Sequence, residues 1–377
     1  SIILPLMSRT EIIQLSDAQL PAIATLAASA LRDGQLVGFP TETVYGVAAD
    51  ASNPRALELL RDLKSRPANP FSIHVGSPND VSRYVRSVPL LAERLIRRAW
   101  PGPVTLLLET GGEFADEAFQ QAGLHDALTH EAVVGLRCPT HPFARAMLQA
   151  IDAPVVAASA NLIGAPSPTT PRDVLEQLDD QIDLLVDAGP TACGQDSTIV
   201  KFTHQRWSVI RRGAVDDDQL RRLAGLNVLF VCTGNTCRSP MAEALAQQAM
   251  AEWLSCEIHE LEALGVTIGS AGVYAAQGDP ATPEAAEACE PFGLDLTTHR
   301  SRMLTPTLIR SADMIFCLTQ RHVQAVTDMA PTDRDKIRRL DPTADVPDPI
   351  GAGQDVYDQT AQCIRDRITV ALEESLK

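Results

Sequence analysis

The sequence predicts an α/β protein of two domains, and three observations carry that reading. Apolar, strand-like runs alternate with helix-period stretches from residue 21 onward. At 377 residues the chain exceeds what one core usually organises, and its 45% apolar content is ordinary for globular cores. Residues 227–245, NVLFVCTGNTCRSPMAEAL, read as an apolar strand, a tight loop and a helix, a Rossmann-like start to a second sheet. The expected domains are 1–225 and 226–377.

Taken in order, residues 21–32 form an Ala/Leu helix and Gly34 introduces a strand at 36–39. Residues 40–46, PTETVYG, have no helix or strand period and are rich in hydroxyls. A short helix at 55–63 ends in Lys64-Ser65-Arg66-Pro67, stopped by Pro67 and Pro70. A helix at 90–99 breaks at Trp100-Pro101-Gly102-Pro103, before an apolar strand at 104–108. Strands at 133–137 and 154–157 end in Arg137 and in Ser159-Ala160-Asn161. A Pro/Ser/Thr loop at 164–171 precedes a helix at 172–178, and GQDSTIV at 194–200 leads to a last strand at 207–213. A short helix at 216–223 leaves only a few linking residues. In the second half, strand 228–231 precedes a helix opened by Ser239 as cap and Pro240 in its first turn. Met241, Leu245, Ala249 and Trp253 repeat at four-residue steps, as one face of a helix does. A strand at 314–318 and a closing helix at 357–372 complete the pattern.

Net charge is −16: −6 up to residue 226 (20 Lys/Arg against 26 Asp/Glu) and −10 after it (12 against 22). An acidic chain argues against a non-specific nucleic-acid binder, so an anionic ligand must be held by locally gathered cations. Eight cysteines show neither a CxxC pair nor zinc spacing. No run approaches a membrane span and the N-terminus lacks a signal pattern. The expectation is a cytoplasmic protein without membrane partner, structural disulfide or bound metal cluster.

In the first half, cations and hydroxyls recur at strand ends, which in an open α/β sheet line a common crevice. Lys64, Arg66, Arg137 and Arg211, with Thr43, Ser159, Asn161 and Ser197, compose a polar pocket of polyphosphate size. FPTETVYG, K-x-R-P, WPGPVTLLL, VGLRCP, ASANLIGAPSPTT, GQDSTIV and R-x-G follow one another in the order of the YrdC/TsaC family, which residues 34–214 resemble. The resemblance implies a twisted mixed sheet with a concave site and an L-threonylcarbamoyladenylate synthase. Its substrates are ATP, L-threonine and bicarbonate, and its product feeds the tRNA-modification machinery. By matched position Thr41, His74, Arg137 and Ser197 face threonine, while Lys64, Arg66, Asn69, Ser159, Asn161, Thr169 and Arg211 face ATP. Mg²⁺ is expected to come with ATP, since it often needs few protein ligands. Asp196 replaces a glutamate of that family and Arg212 a proline.

In the second half Cys232 and Arg238 bracket a loop of Thr233, Gly234, Asn235, Thr236 and Cys237. Backbone N–H groups of such a loop, with the helix N-terminus behind it, form a dianion site. A cysteine at its rim suits a thiolate nucleophile, and the arginine fork suits two phosphoryl oxygens. This C-x5-R-S segment, with Ser270-Ala271-Gly272, His299-Arg300-Ser301-Arg302 and Asp348-Pro349 in order, resembles the low-molecular-weight phosphotyrosine phosphatases. That implies a Rossmann-like parallel sheet, no cofactor, a phosphorylated protein substrate, and Asp348 as the acid. Asn235, Ser239, Ser270 and His299 would support the loop. Thr236 stands where an apolar residue is usual and Ile350 where an aromatic usually follows Asp-Pro, which resembles the protein-arginine-phosphatase branch. Phosphotyrosine remains the alternative substrate, and an RNA- or nucleotide-binding module without synthesis the alternative for the first half.

Overall fold

The first helix shows how the order of residues is converted into layers. Pro21 sits in its first turn, where a missing N–H costs nothing, and Ile23, Ala24, Ala27, Ala28 and Leu31 fall on one buried stripe. In the computed structural model, which describes residues 10–65 and 70–375, that helix is Leu20–Arg32. Its small-residue face lets helix Pro142–Gln149 approach closely, and both cover Val37, Phe39, Ala48, Val155 and Val186 of the sheet. The chain divides into two compact units at Ala224/Gly225.

Among the described residues the sheet of the first unit has eleven strands and is mixed. Its order is Glu11–Gln14, Leu184–Asp187, Val37–Phe39, Gly46–Asp50, Val155–Ser159, Ser72–His74, Val133–Arg137, Val104–Glu109, Thr198–Thr203 and Arg206–Arg211, with Thr129–His130 beside Val133–Arg137. Strand Val133–Arg137 lies between a parallel neighbour, Ser72–His74, and an antiparallel one, Val104–Glu109. Its registers set His74 and Thr105 level with Arg137, so three strands deliver a polar side chain to one place. Antiparallel pairing of Gly46–Asp50 with Val155–Ser159 likewise sets Gly46 opposite Ser159.

The second unit is a four-stranded parallel sheet, ordered Val266–Gly272, Leu226–Cys232, Met314–Cys317 and Ile337–Arg339. Central strand Leu226–Cys232 is nearly all buried, as expected of a parallel strand covered on both faces. It hands Cys232 to the loop at its C-terminal end. Among the described residues no helix is long and apolar enough to cross a membrane.

Two local expectations need correction. Ser239 does not cap the helix after the loop. That helix is Arg238–Leu254, Cys237 takes the cap position without a side-chain cap bond, and the Ser239 hydroxyl is drawn into the loop. Nor is the apolar face at four-residue steps buried along its whole length. Met241 and Leu245 are buried, Ala249 is half-buried and Trp253 is 39% exposed. The deep face is carried by Ala242, Ala246, Met250 and Leu254.

Candidate active sites

In the first unit the polar strand ends converge on a cavity of about 230 Å³ lined by Thr41, Lys64, His74, Arg137, Ser159, Ser197 and Arg211. Arg137 is its centre. Its Nη2 donates to Glu42 Oε1 at 2.9 Å and to Thr43 Oγ1 at 2.6 Å, with Thr41 Oγ1 at 3.5 Å. Glu42 is itself fixed, since its Oε2 accepts the amide of Thr140 at 3.0 Å. A buried guanidinium needs such a partner, and this one leaves Arg137 Nε buried with no hydrogen bond. His74 is buried alongside. Burial and the charge of Arg137 push its ring down to about 3, so it is a neutral imidazole in this wall.

Lys64 follows helix Pro54–Leu63, whose cap Asn53 accepts from Arg55 and Ala56. Its buried ammonium donates to Ser159 O at 2.9 Å, Asn161 O at 2.5 Å and Asn161 Oδ1 at 3.0 Å. Lys64 therefore ties the strand end bearing Ser159 to the end of helix Pro54–Leu63. On the opposite wall Arg211 Nη2 donates to Ser197 O at 2.9 Å and to its Oγ at 3.0 Å, while Ser197 Oγ meets Thr105 Oγ1 at 2.8 Å. Asp196 also lines the cavity and accepts from Ser167 Oγ at 3.1 Å.

Of the residues expected here, Thr41, Lys64, His74, Ser159, Arg137, Ser197 and Arg211 come together on the wall. Asn161 stands behind Lys64, and Thr169 is turned to Asp173, whose carboxylate it meets with both amide and hydroxyl. Arg66 and Asn69 lie outside the described residues. Glu42 and Thr105 were not singled out from sequence. The acid set among the hydroxyls of PTETVYG, and the lone hydroxyl in the apolar run 104–108, were the available signals.

In the second unit eight consecutive residues, Cys232 to Ser239, form the site. Asn235 is in the left-handed region at φ 56°, a conformation Asn tolerates and most residues resist. All of its polar groups are used. Its amide donates to Cys232 Sγ at 3.2 Å, its O accepts from His299 Nε2 at 2.8 Å, and its Oδ1 accepts the amide of Arg302 at 2.9 Å. Its Nδ2 donates to Ser239 Oγ at 2.9 Å and Ser270 Oγ at 2.8 Å. Directions follow from there. Ser270 gives its proton to Glu243 at 2.5 Å, and Ser239, already accepting from Asn235, can give its own to Cys232 Sγ at 2.9 Å. Two donors thus point at the sulfur. Gly272 lies under the loop, where a Cβ would come within 2.4 Å of Thr233 O and 3.0 Å of Asn235 N, so only glycine fits.

Arg238, buried, donates from Nη2 to Asp348 Oδ2 at 2.6 Å and from Nη1 to Val346 O at 3.3 Å. Nucleophile loop, guanidinium and carboxyl therefore meet at one mouth. Thr236 is half-buried there, its O accepting from the Thr282 amide and its Oγ1 3.6 Å from Cys237 Sγ. Ile350, after Asp348-Pro349, is 68% exposed. One aromatic escaped the sequence reading. Tyr274, whose amide donates to Thr233 O at 3.0 Å, leaves its ring 80% exposed beside the loop. His322 was also missed; it is buried and its Nε2 lies 2.9 Å from Thr233 Oγ1.

Each half of the chain has relatives among known proteins. Residues 29–213 match the Sua5/YciO/YrdC family, described as "Telomere recombination", and residues 227–377 match the family described as low molecular weight phosphotyrosine protein phosphatase. Threonylcarbamoyl-AMP synthase of Bacillus subtilis is 35% identical over 206 residues, 54% of this chain and 57% of that protein. The chain spans little more than half the length of the first curated relatives it matches. Protein-arginine-phosphatase of Bacillus subtilis is 39% identical over 157 residues, 40% of this chain and 95% of that protein. A solved structure of a Pyrococcus abyssi Sua5 variant shares the fold at a TM-score of 0.50 and 25% identity, covering 69% of this chain and 91% of that one.

Proposed function

The chain belongs to the Sua5/YciO/YrdC family through residues 29–213 and to the low-molecular-weight phosphotyrosine protein phosphatase family through residues 227–377, and on that premise we propose a bifunctional enzyme. The first unit makes L-threonylcarbamoyladenylate from L-threonine, bicarbonate and ATP, as its named relatives suggest, and hands it on for tRNA modification. The carbamate oxygen of N-carboxythreonine attacks the α-phosphorus of ATP, the bond to the β-phosphate oxygen breaks, and pyrophosphate leaves. Such a transfer needs position and positive charge more than a covalent helper. The carrying observation is the cavity that gathers Lys64, Arg137 and Arg211 among hydroxyls within an acidic chain. Thr41, His74, Arg137 and Ser197 are assigned to threonine, and Lys64, Ser159 and Arg211, with Asn161 and Thr169 in support, to ATP. Arg66 and Asn69 are assigned to ATP on the motif alone. Among the described residues no cluster of three His, Cys, Asp or Glu side chains offers a metal cage. Mg²⁺ would instead come with the nucleotide, with the Asp196 carboxylate at the wall, and would offset phosphate charge. Pyrophosphate release that requires threonine and bicarbonate together tests this half; release with neither would leave a nucleotide-binding module.

For the second unit we propose hydrolysis of phosphoarginine on proteins. Cys232 Sγ attacks phosphorus, the phosphorus–nitrogen bond breaks, and Asp348 gives its proton to the departing guanidine nitrogen. Arg238 and the loop amides hold the three phosphoryl oxygens. Water then attacks the cysteinyl phosphate while Asp348 accepts its proton, releasing phosphate and the thiolate. What carries the reading is the chain of directed hydrogen bonds from Glu243 to Cys232 beside Arg238 and Asp348. Thr236 with Ile350 favours a compact polar leaving group over a phenol. The exposed Tyr274 ring favours the second reading, phosphotyrosine, because it offers the aromatic wall that Ile350 lacks. Turnover of matched phosphoarginine and phosphotyrosine peptides separates the two.

A further inference from the structure

His322 has no part in the chemistry just described, yet both of its ring nitrogens are committed. Nε2 meets Thr233 Oγ1 at 2.9 Å, one residue past Cys232. Nδ1 meets Thr319 Oγ1 at 2.9 Å, and Thr319 is the N-cap of helix Gln320–Met329. The same short segment grips the loop that carries Asp348. Leu318 O accepts the amide of Val346 at 2.8 Å, and the amide of Gln320 donates to Asp345 Oδ1 at 2.8 Å. Residues 318–322 thus hold the nucleophile's loop by a side chain and the acid's loop by backbone.

One tautomer satisfies every partner: Thr319 Oγ1 accepts the amide of His322 at 3.3 Å and gives its own proton to Nδ1. The ring hydrogen then sits on Nε2 and is donated to Thr233. This arrangement requires an uncharged ring. Burial and the nearby charge of Arg238 push His322 down to about 4, outweighing the opposing carboxylates of Asp348 and Asp345.

We propose that His322 is a positioning residue that keeps the phosphate loop in register with the loop bearing Asp348, a role that rests on the cysteine-phosphatase reading. Its Nε2–H fixes Thr233, and through it the loop beginning at Cys232. Its Nδ1 anchors the ring to the segment that also fixes Val346 and Asp345. It touches no reacting atom.

The two nitrogens can be tested apart in the full chain, because glutamine reaches about as far as Nε2 and asparagine about as far as Nδ1. With p-nitrophenyl phosphate as probe, His322→Gln should keep kcat within about threefold of wild type. His322→Asn and His322→Ala should lower kcat about 10- to 100-fold, the cost of small misplacement at a reacting centre, with KM within about twofold. His322→Asn should nonetheless hold its melting temperature, since the contact with the cap survives. Thr233→Ala should reproduce the kcat loss, and adding His322→Ala to it should cost little more, because both remove one link. If His322→Asn is as active as wild type and His322→Gln is not, the residue only supports the helix cap and the proposal falls. Losses that add in the double variant would overturn it as well. A wild type with no turnover and no phosphocysteine at Cys232 would remove the phosphatase reading together with this one.

Discussion

The two sites of this chain are built in opposite ways. The loop of the second unit is eight consecutive residues whose backbone is proposed to cradle the anion, and of the distant residues Asp348 alone is given chemistry while the others hold the loop in shape. The cavity of the first unit has no such stretch. Thr41, His74, Arg137, Ser159, Ser197 and Arg211 come from different strands or their ends and Lys64 from the end of a helix, and the sheet order brings them together. A covalent mechanism concentrates its needs on one nucleophile and its oxyanion donors. A transfer between bound substrates spreads its needs over the surfaces of two ligands. The contrast predicts that single changes in the loop are near-complete and local, whereas single changes in the cavity are graded.

The sharpest way to break that contrast is Cys232→Ser. It should lower phosphatase turnover by about 10⁴-fold or more, as removal of a covalent nucleophile does, with threonine-dependent pyrophosphate release unchanged. Arg238→Lys should depress phosphoarginine and phosphotyrosine hydrolysis together, because it replaces the fork that grips the phosphoryl group they share. Loss of both activities in Cys232→Ser would reject independent sites.

Next in size is the cavity. Arg137→Ala removes the guanidinium and leaves the Glu42 carboxylate buried without its ion pair. Lys64→Ala removes the tie between Ser159, Asn161 and the end of helix Pro54–Leu63. Each should lower pyrophosphate release by about 10²- to 10³-fold, on the scale of one lost electrostatic contact at a transferring group. Phosphatase turnover measured on the same preparations should stay within about twofold. A loss in Lys64→Ala as complete as that in Cys232→Ser would show the cavity to be less distributed than its geometry.

The same contrast governs what could be read from the chain. Cys232, Arg238 and the residues between them stand in contiguous text, and their spacing alone specifies strand, loop and helix. The cavity residues stand far apart, and only ordered motifs link them. Some short strands escaped altogether. Glu11–Gln14 pairs with Leu184–Asp187, far along the chain, and three-residue Ser72–His74 has no room for a period. Glu42 and His322 were missed for a different reason. A lone acid or imidazole has no local signature, and its role is set by what tertiary folding places against it. Ser239 shows the converse error, where a correct local rule for caps lost to a thiol and an amide that needed its hydroxyl.

A finer test concerns what the loop selects. Thr236 lies two residues before Arg238 at the mouth of the site, where a leaving group must pass. Thr236→Ile replaces a hydroxyl by an apolar branch of greater bulk. It should lower turnover of phosphoarginine peptides and raise that of matched phosphotyrosine peptides, shifting the ratio about 10- to 100-fold, the range of one unmet polar contact. A wild type that already prefers phosphotyrosine, or an unchanged ratio in the variant, would give the site to the aromatic substrate and to Tyr274.

The smallest effect sharpens the comparison from the other side, because here the two units should behave alike. Each buries a neutral histidine beside its site, His74 pushed down to about 3 and His322 to about 4. In the unfolded chain both rings take up a proton near pH 6.5. Between that pH and the folded value the unfolded state binds more protons, so stability rises with pH in this window and falls as the solution is acidified. Within that window each histidine gives a slope approaching about 1.4 kcal/mol per pH unit; its contribution to stability is complete above pH 6.5 and spent once the folded ring protonates. Local opening can be followed in the full chain through two fully buried thiols, Cys138 in the first unit and Cys317 in the second, labelled with a pyridyl disulfide that reacts in acid. His322→Gln should flatten the acid dependence of Cys317 labelling between pH 6 and about 4.5 and leave that of Cys138 as it was. If Cys317 labelling keeps its slope in that variant, the buried ring is not the group that titrates, and the acid sensitivity of the second unit belongs to its carboxylates instead.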